Sequence, residues 1–296
     1  MISATPIRKA VIPAAGLGTR LLPTTKSVPK ELLPILDKPA LQYVVEEAAE
    51  ASIEQVIIVT APGKESIAAY FRPDPRLESR LARSGAHELA ERVRRAASLA
   101  EVSFVIQRQP LGLGHAVLTA KDAVGDEPFV VMLPDDIVAH SPGVTSQMLE
   151  VHREFGGGVV AVAPTPWETV HNYGVVDVSP AGERVYRING LVEKPPREKA
   201  PSNLTIVGRY LLPPQIFECL ERTAPGAKGE IQLTDGMSLL LEDHPLYAYE
   251  FLGRRYDTGT PLGLLRASLE FALAREDTRG ATEAMLQEVT NHRGEC

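Results

Sequence analysis

Close to its start the chain carries a short apolar run, Ile7 to Ala14, that passes without a spacer into Gly16-Leu17-Gly18-Thr19-Arg20. A run of that length and composition reads as a buried strand, and glycines directly behind it let backbone N–H groups converge on an anion without a Cβ in the way. After Pro39, the residues Ala40, Leu41, Val44, Val45, Ala48 and Ala49 repeat at helical spacing, which completes a strand, loop and helix unit. Val56 to Thr60, Val102 to Gln107 and Phe129 to Leu133 are further β-rich runs, separated by helical segments such as Leu113 to Val124. The alternation predicts an α/β fold around a parallel sheet with right-handed crossovers.

The second half is richer in β and less regular. Strands are expected at Val159 to Ala163, Gly174 to Val178, Arg184 to Val192 and Thr205 to Tyr210, followed by helices near Pro214 to Leu220 and Gln232 to Leu241. Leu262 to Arg275 reads as an amphipathic helix, and the polar tail after Asp277 as a segment that frays or serves a partner subunit. Between Phe71 and Ala100 seven arginines stand against four acids, with leucines at helical spacing and a break near Gly85. That pattern predicts two surface helices with a solvated face in preference to an RNA patch. Without repeats or an evident linker, residues 1–296 read as one domain.

With 296 residues, 44% hydrophobic, the chain can bury a sizeable core, and its net charge of −7 argues against a surface built for nucleic acid. A polyanionic substrate would need a focused cationic site. Two cysteines, Cys219 and Cys296, are too few for a disulfide scaffold or a cysteine zinc site, so a reducing, cytoplasmic setting is expected. Neither a signal peptide's long apolar region nor a run of membrane-spanning length is present, and no membrane partner is expected.

The glycine loop excludes two common readings. A dinucleotide fingerprint needs a third glycine where Leu21 stands, and a P-loop needs Gly-Lys-Ser/Thr, whereas Gly63-Lys64-Glu65 lacks the hydroxyl residue. A structural turn remains an alternative on the glycines alone. Arg20 and Lys30 would bring two full charges to a phosphate group there. Val130-Val131-Met132-Leu133-Pro134-Asp135-Asp136 delivers two carboxylates at the carboxyl end of a buried strand, where open α/β sheets place their ligands; a turn or cap is the competing account. Adjacent aspartates on an extended chain point to opposite sides, so the two have different tasks. Asp257, in Tyr256-Asp257-Thr258-Gly259-Thr260, lies between a strand and a helix and could equally be an N-cap.

The segment GLGTRLLPTTKSVPKELLP with the following DKP (Asp37 to Pro39) resembles the signature of the sugar-1-phosphate nucleotidyltransferases, most nearly their bacterial branch that takes UTP and glucose 1-phosphate. The resemblance runs from about Lys9 to about Leu265, interrupted mainly in the Arg-rich segment, and includes GLGHAV, APSNLTIVGRY and EIQLTD. It implies a Rossmann-like fold with a mixed, mostly parallel central sheet flanked by helices. A nucleotide-binding part would span about 1–140, a smaller β-rich sugar-binding part about 141–260, and a C-terminal helix and tail 261–296. It implies a loop of Ala14, Ala15, Gly16, Gly18, Thr19 and Arg20 that, with Lys30, holds the triphosphate. Gln107 and Gly112 would hold the base, although Gln109 is a rival on the residues alone.

Asp135 and Asp257 are implied as ligands of Mg2+, and Asp136, Gly174, Glu193, Lys194 and Asn203 as the sugar-phosphate side. Arg20, Lys30, Asp135, Lys194 and Asp257 would carry the catalysis. Lys228 and Gly229 replace the commoner acidic approach to the EIQLTD segment. His115 reads as a helix-end histidine, because a sugar phosphate is already a nucleophile and needs no base. A dTTP-using thymidylyltransferase and a non-catalytic nucleotide sensor are the rival readings. By analogy with the family, a homodimer or homotetramer is expected.

Overall fold

A computed structural model of the chain describes residues 6–226 and 229–292, so Lys228 and Cys296 lie outside the described residues. The strands are β1 Lys9–Pro13, β2 Pro34–Ile35, β3 Lys38–Pro39, β4 Gln55–Thr60, β5 Glu101–Ile106, β6 Phe129–Met132, β7 Asp136–Ala139, β8 Gly158–Pro164, β9 Gly174–Gly182, β10 Val185–Glu193, β11 Leu204–Leu212, β12 Leu246–Glu250 and β13 Arg254–Asp257. The helices are α1 Ala40–Glu50, α2 Glu65–Phe71, α3 Pro75–Arg83, α4 His87–Ala96, α5 Leu113–Thr119, α6 Lys121–Val124, α7 Val144–Phe155, α8 Ile216–Arg222, α9 Leu233–Leu240, α10 Pro261–Ala274 and α11 Glu276–His292.

Nine strands form one sheet in the order β5-β4-β1-β6-β11-β8-β12-β10-β9. β5, β4, β1 and β6 are mutually parallel, as β8 and β12 are. β11 enters antiparallel between β6 and β8, and β10 antiparallel between β12 and β9. Seven of the nine strands therefore run one way, and β10 and β11 run against them. The sheet is mixed and mostly parallel, as expected.

The near-continuous apolar runs are what a sheet covered on both faces requires. Because side chains alternate along a strand, Ala10, Ile12, Val56, Ile58, Val130 and Met132 join one core, under α1 and α7, while Val11, Ile57, Val59, Phe129 and Val131 join the other, under α5, α8 and α9. The Arg-rich segment forms α3 and α4, and Arg92 pairs with Asp37 while Arg94 pairs with Glu78 and Glu91. Among the described residues no helix is long and apolar enough to cross a membrane.

Two expectations along the chain are corrected. The stretch after Asp277 is helical as far as His292: Arg275 is extended and breaks the helix, but Glu, Ala, Met, Leu and Gln behind it favour a new one. Leu113 to Val124 is split at Ala120 into α5 and α6.

Candidate active site

The carboxyl ends of β1 and β6 open on a cleft of about 980 Å³. One wall is the glycine loop. Gly18 is left-handed at φ +67°, and a Cβ there would crowd Thr25 and Lys30; nothing stands within 4 Å of the corresponding point on Gly16. The loop's carbonyl groups are tied from behind. Lys64, at the entry to α2, donates to the carbonyls of Ala14 and Gly16 at 2.7 Å each and to both carboxylate oxygens of Glu31 at 3.1 and 2.9 Å. Glu31 is 1% exposed, and burial raises its pKa against the pull of Lys64 and Lys30; burial likewise lowers that of Lys64 against the pull of Glu31. With its carbonyls engaged, the loop can present N–H groups to the cleft. The failed P-loop pattern concealed Lys64, which works on the loop and not in the cleft.

Asp135 follows β6 and Asp257 ends β13. Their backbones are joined, since Thr258 donates to the Asp135 carbonyl from both its N–H, at 2.8 Å, and its hydroxyl, at 3.0 Å. Lys30 Nζ lies 2.5 Å from Asp135 Oδ2, and Arg20 lies 4.0 Å from Asp135 and 3.7 Å from Asp257. A Cβ placed on Gly259 would stand 2.8 Å from Asp135 Oδ2, 2.9 Å from Arg20 Nη2 and 3.0 Å from Asp257 Oδ1. Both carboxylates thus face one small volume that only a glycine leaves free. Burial works against the charge of Asp135, but Lys30 outweighs it and holds the carboxyl below its usual range. Asp257 is raised, by burial and then by the charge of Asp136, against the pull of Arg20.

The strand end is braced underneath by Arg209, which is 0% exposed. Its guanidinium donates to both carboxylate oxygens of Glu47, the shortest contact 2.7 Å, and to the carbonyls of Leu133 at 3.2 Å, Gly208 at 2.9 Å and Asp136 at 2.9 Å. Glu47 also accepts from the N–H and the hydroxyl of Thr145 at 3.0 and 2.7 Å. This buried pair holds the backbone on either side of Asp135. Nothing local in the sequence announces it, since the partners are 162 positions apart.

Asp136 has partners of its own, although the chain at Pro134 and Asp135 is a turn and not the extended segment expected. Its Oδ2 accepts from the Gly208 N–H at 3.1 Å and its Oδ1 from Arg255 at 2.6 Å, so the carboxylate is engaged by the protein although it lines the cleft. Arg255, two residues before Asp257, stacks over Tyr173 at 5.2 Å and is a cleft cation that the sequence reading missed. Glu193 and Lys194 stand beside it, with Lys194 Nζ 2.6 Å from Glu193 Oε1 and the Thr234 hydroxyl 2.7 Å from Oε2. Lys194 has φ +46°, a conformation uncommon for a residue with a side chain and held by its N–H to the Tyr173 carbonyl at 3.0 Å. Gly174 lets Thr234 and Glu193 come within 3.1 and 3.3 Å of where a Cβ would stand.

Gln107 is buried and lines the cleft, whereas Gln109 is exposed and does not. Gly112, at φ +96°, lies so close to Glu230 and the Ile231 carbonyl that a Cβ would collide at 2.9 and 2.8 Å. Of the expected residues, Ala15, Gly16, Gly18, Thr19, Arg20, Lys30, Gln107, Gly112, Asp135, Asp136, Gly174, Glu193, Lys194 and Asp257 line one cleft. Ala14 and Asn203 do not. Ala14 is fully buried beneath the loop, and the Asn203 amide donates at 3.3 Å to the Thr165 carbonyl between neighbouring strands.

The chain matches the family model described as nucleotidyl transferase over residues 9–273. It is 46% identical over 286 residues to the UTP--glucose-1-phosphate uridylyltransferase of Bacillus subtilis (strain 168), covering 96% of this chain and 98% of the relative. A UTP-bound UGPase from Acinetobacter baumannii superposes with a TM-score of 0.88 at 40% identity, covering 96% and 99% of the two chains. A UDP-glucose pyrophosphorylase complexed with UDP-glucose gives 0.83 at 42%, covering 91% and 100%. Agreement of this extent, over nearly the full length of each relative, means that the chain belongs to the nucleotidyl transferase family.

Proposed function

We propose that the chain transfers the uridylyl group of UTP to α-D-glucose 1-phosphate, giving UDP-glucose and pyrophosphate, by in-line attack of the sugar phosphate on the α-phosphorus. The observation that carries the reading is the convergence of Asp135, Asp257 and Arg20 on the space beside Gly259, with Lys30 on Asp135. The relatives' names supply the substrate pair.

Transfer of this kind needs positioning and charge neutralisation more than covalent help. Lys30 and Arg20 balance the charge that grows on pyrophosphate as it leaves. Lys194 holds the attacking phosphate, while Glu193, fixed by Thr234, accepts from sugar hydroxyls. Asp136 and Arg255 keep that side of the cleft in shape.

The donor set fits Mg2+, which prefers oxygen and takes one or two carboxylates with waters and substrate phosphates. Asp135 and Asp257, whose carboxylate oxygens face one point beside Gly259, would be its protein ligands. Bound there, the ion would neutralise phosphate charge in the transition state.

In this reading residues about 1–140 serve the nucleotide, about 141–260 the sugar phosphate, and 261–296 form a C-terminal helix and tail. The exposed Leu262, Leu265, Met285 and Val289 on α10 and α11 suit a contact between copies in a homodimer or homotetramer. A reducing cytoplasm suits the free, buried Cys219.

Pyrophosphate release over a matrix of triphosphates and sugar phosphates tests the proposal. UTP with glucose 1-phosphate and magnesium is expected to be fastest; preference for dTTP would favour the thymidylyl reading, and binding without release under any pairing would favour a sensor. Lys64→Met is expected to weaken triphosphate binding by about tenfold, the scale of one lost charge-assisted hydrogen bond, and to leave sugar-phosphate binding unchanged. Calorimetric titration of each ligand checks it; equal losses for both would show general damage and no specific hold on the loop.

A further inference from the structure

His115, on the first turn of α5, does not line the cleft, yet its ring touches Gln107, whose amide does. Gln107 Nε2 lies 2.8 Å from His115 Nδ1 and 3.3 Å from the Gly112 carbonyl oxygen. A carbonyl oxygen only accepts, so the amide turns its NH2, and not its oxygen, toward Gly112. That NH2 only donates, so the Nδ1 it also meets is bare and the neutral ring carries its proton on Nε2. Both amide hydrogens are thereby used inside the protein. Oε1 is what remains: it makes no hydrogen bond among the described residues, and it is not among the buried side-chain atoms that lack a partner. Because Gln107 is 6% exposed and lines the cleft, that oxygen is the part of it open to a ligand.

We propose that His115 is a positioning residue that selects the nucleobase: by holding the Gln107 amide in one of its two orientations, it makes Gln107 a pure acceptor at the base. This rests on the reading above, in which Gln107 meets the base. An acceptor there favours a ring that presents an N–H, such as uracil or thymine at N3, and disfavours cytosine, whose N3 is itself an acceptor. The backbone that carries His115 is anchored on both sides. Its own carbonyl accepts from the Thr119 hydroxyl at 2.7 Å, and the neighbouring Gly114 N–H donates to the Ile231 carbonyl at 2.8 Å, where a Cβ on Gly114 would collide. Without the imidazole acceptor, only the longer contact to the Gly112 carbonyl opposes turning the amide over, and the hold on its orientation is weakened.

Calorimetric binding of UTP and CTP to the full chain, with initial rates for UTP, tests this on His115→Leu and His115→Asn. Asparagine keeps an acceptor oxygen close to the position of Nδ1; leucine removes it. The expected result is that wild type and His115→Asn prefer UTP, while His115→Leu loses about tenfold of the UTP-over-CTP preference and raises the KM for UTP with kcat within about twofold. His115→Phe repeats the measurement if leucine impairs folding. A wild type that prefers UTP together with a leucine or phenylalanine variant of undiminished preference would overturn the role of His115 and leave the proposed reaction standing. A wild type that binds UTP and CTP alike would overturn both.

Discussion

Asp135→Asn is expected to lower turnover by roughly 10²–10³-fold at saturating magnesium, with the fold intact. Lys30 holds the Asp135 carboxyl below its usual range, so the group is fully ionised at neutral pH and the substitution removes a whole charge, although asparagine has nearly the same shape. The loss cannot be ascribed to a collapsed strand end. Thr258 bonds to the backbone carbonyl of residue 135, which asparagine retains. Steady-state rates across a magnesium titration, with circular dichroism as a control on folding, decide the matter. Turnover within tenfold of wild type at high magnesium would remove Asp135 from the chemistry.

The second large effect is on stability. Arg209→Met is expected to destabilise the chain by about 3–5 kcal/mol in denaturant unfolding, because it leaves Glu47 buried without its cation. The carbonyls of Leu133, Gly208 and Asp136 lose a donor at the same time. Burial pushes the Glu47 carboxyl up, but Arg209 and Thr145 outweigh it and the folded-state pKa lies below the ordinary value. The pair's contribution is therefore complete above the unfolded glutamate range and fades as pH falls through the lower folded value. Wild type should lose this increment on acidification and Arg209→Met should not. Replacing both partners, as in Arg209→Met with Glu47→Leu, is expected to recover much of the stability. Activity should stay low, since nothing then grips the carbonyls on either side of Asp135. Recovery of both together would show the pair to be packing alone.

The strand and helix alternation of the first half was legible because each element there is a local apolar pattern. The glycine loop and Asp135 were legible for the same reason, as events at the end of such a strand. Elements defined by distant pairing were not. β7 is four residues long and exists as the partner of β13, whereas α7, absent from the expected elements, does carry Val144, Met148, Val151 and Phe155 at helical spacing. Arg209 sits in a run, Val207 to Leu212, where an arginine reads as a side chain leaving the sheet; only Glu47, brought up by α1, makes its burial tolerable. Gly63-Lys64-Glu65 fails the P-loop pattern, and in the fold Lys64 serves the loop from behind. Asn203 belongs to a segment that matched the family pattern, but its amide is used between strands.

The position of β11 bears on how the chain is made. β6, buried at all four residues, needs β11 as its second neighbour, yet β11 follows about 70 residues later. While those residues are being added, the emerging polypeptide carries an unpaired apolar edge at the ribosome, open to pairing with another nascent chain until Leu204–Leu212 arrives to close it.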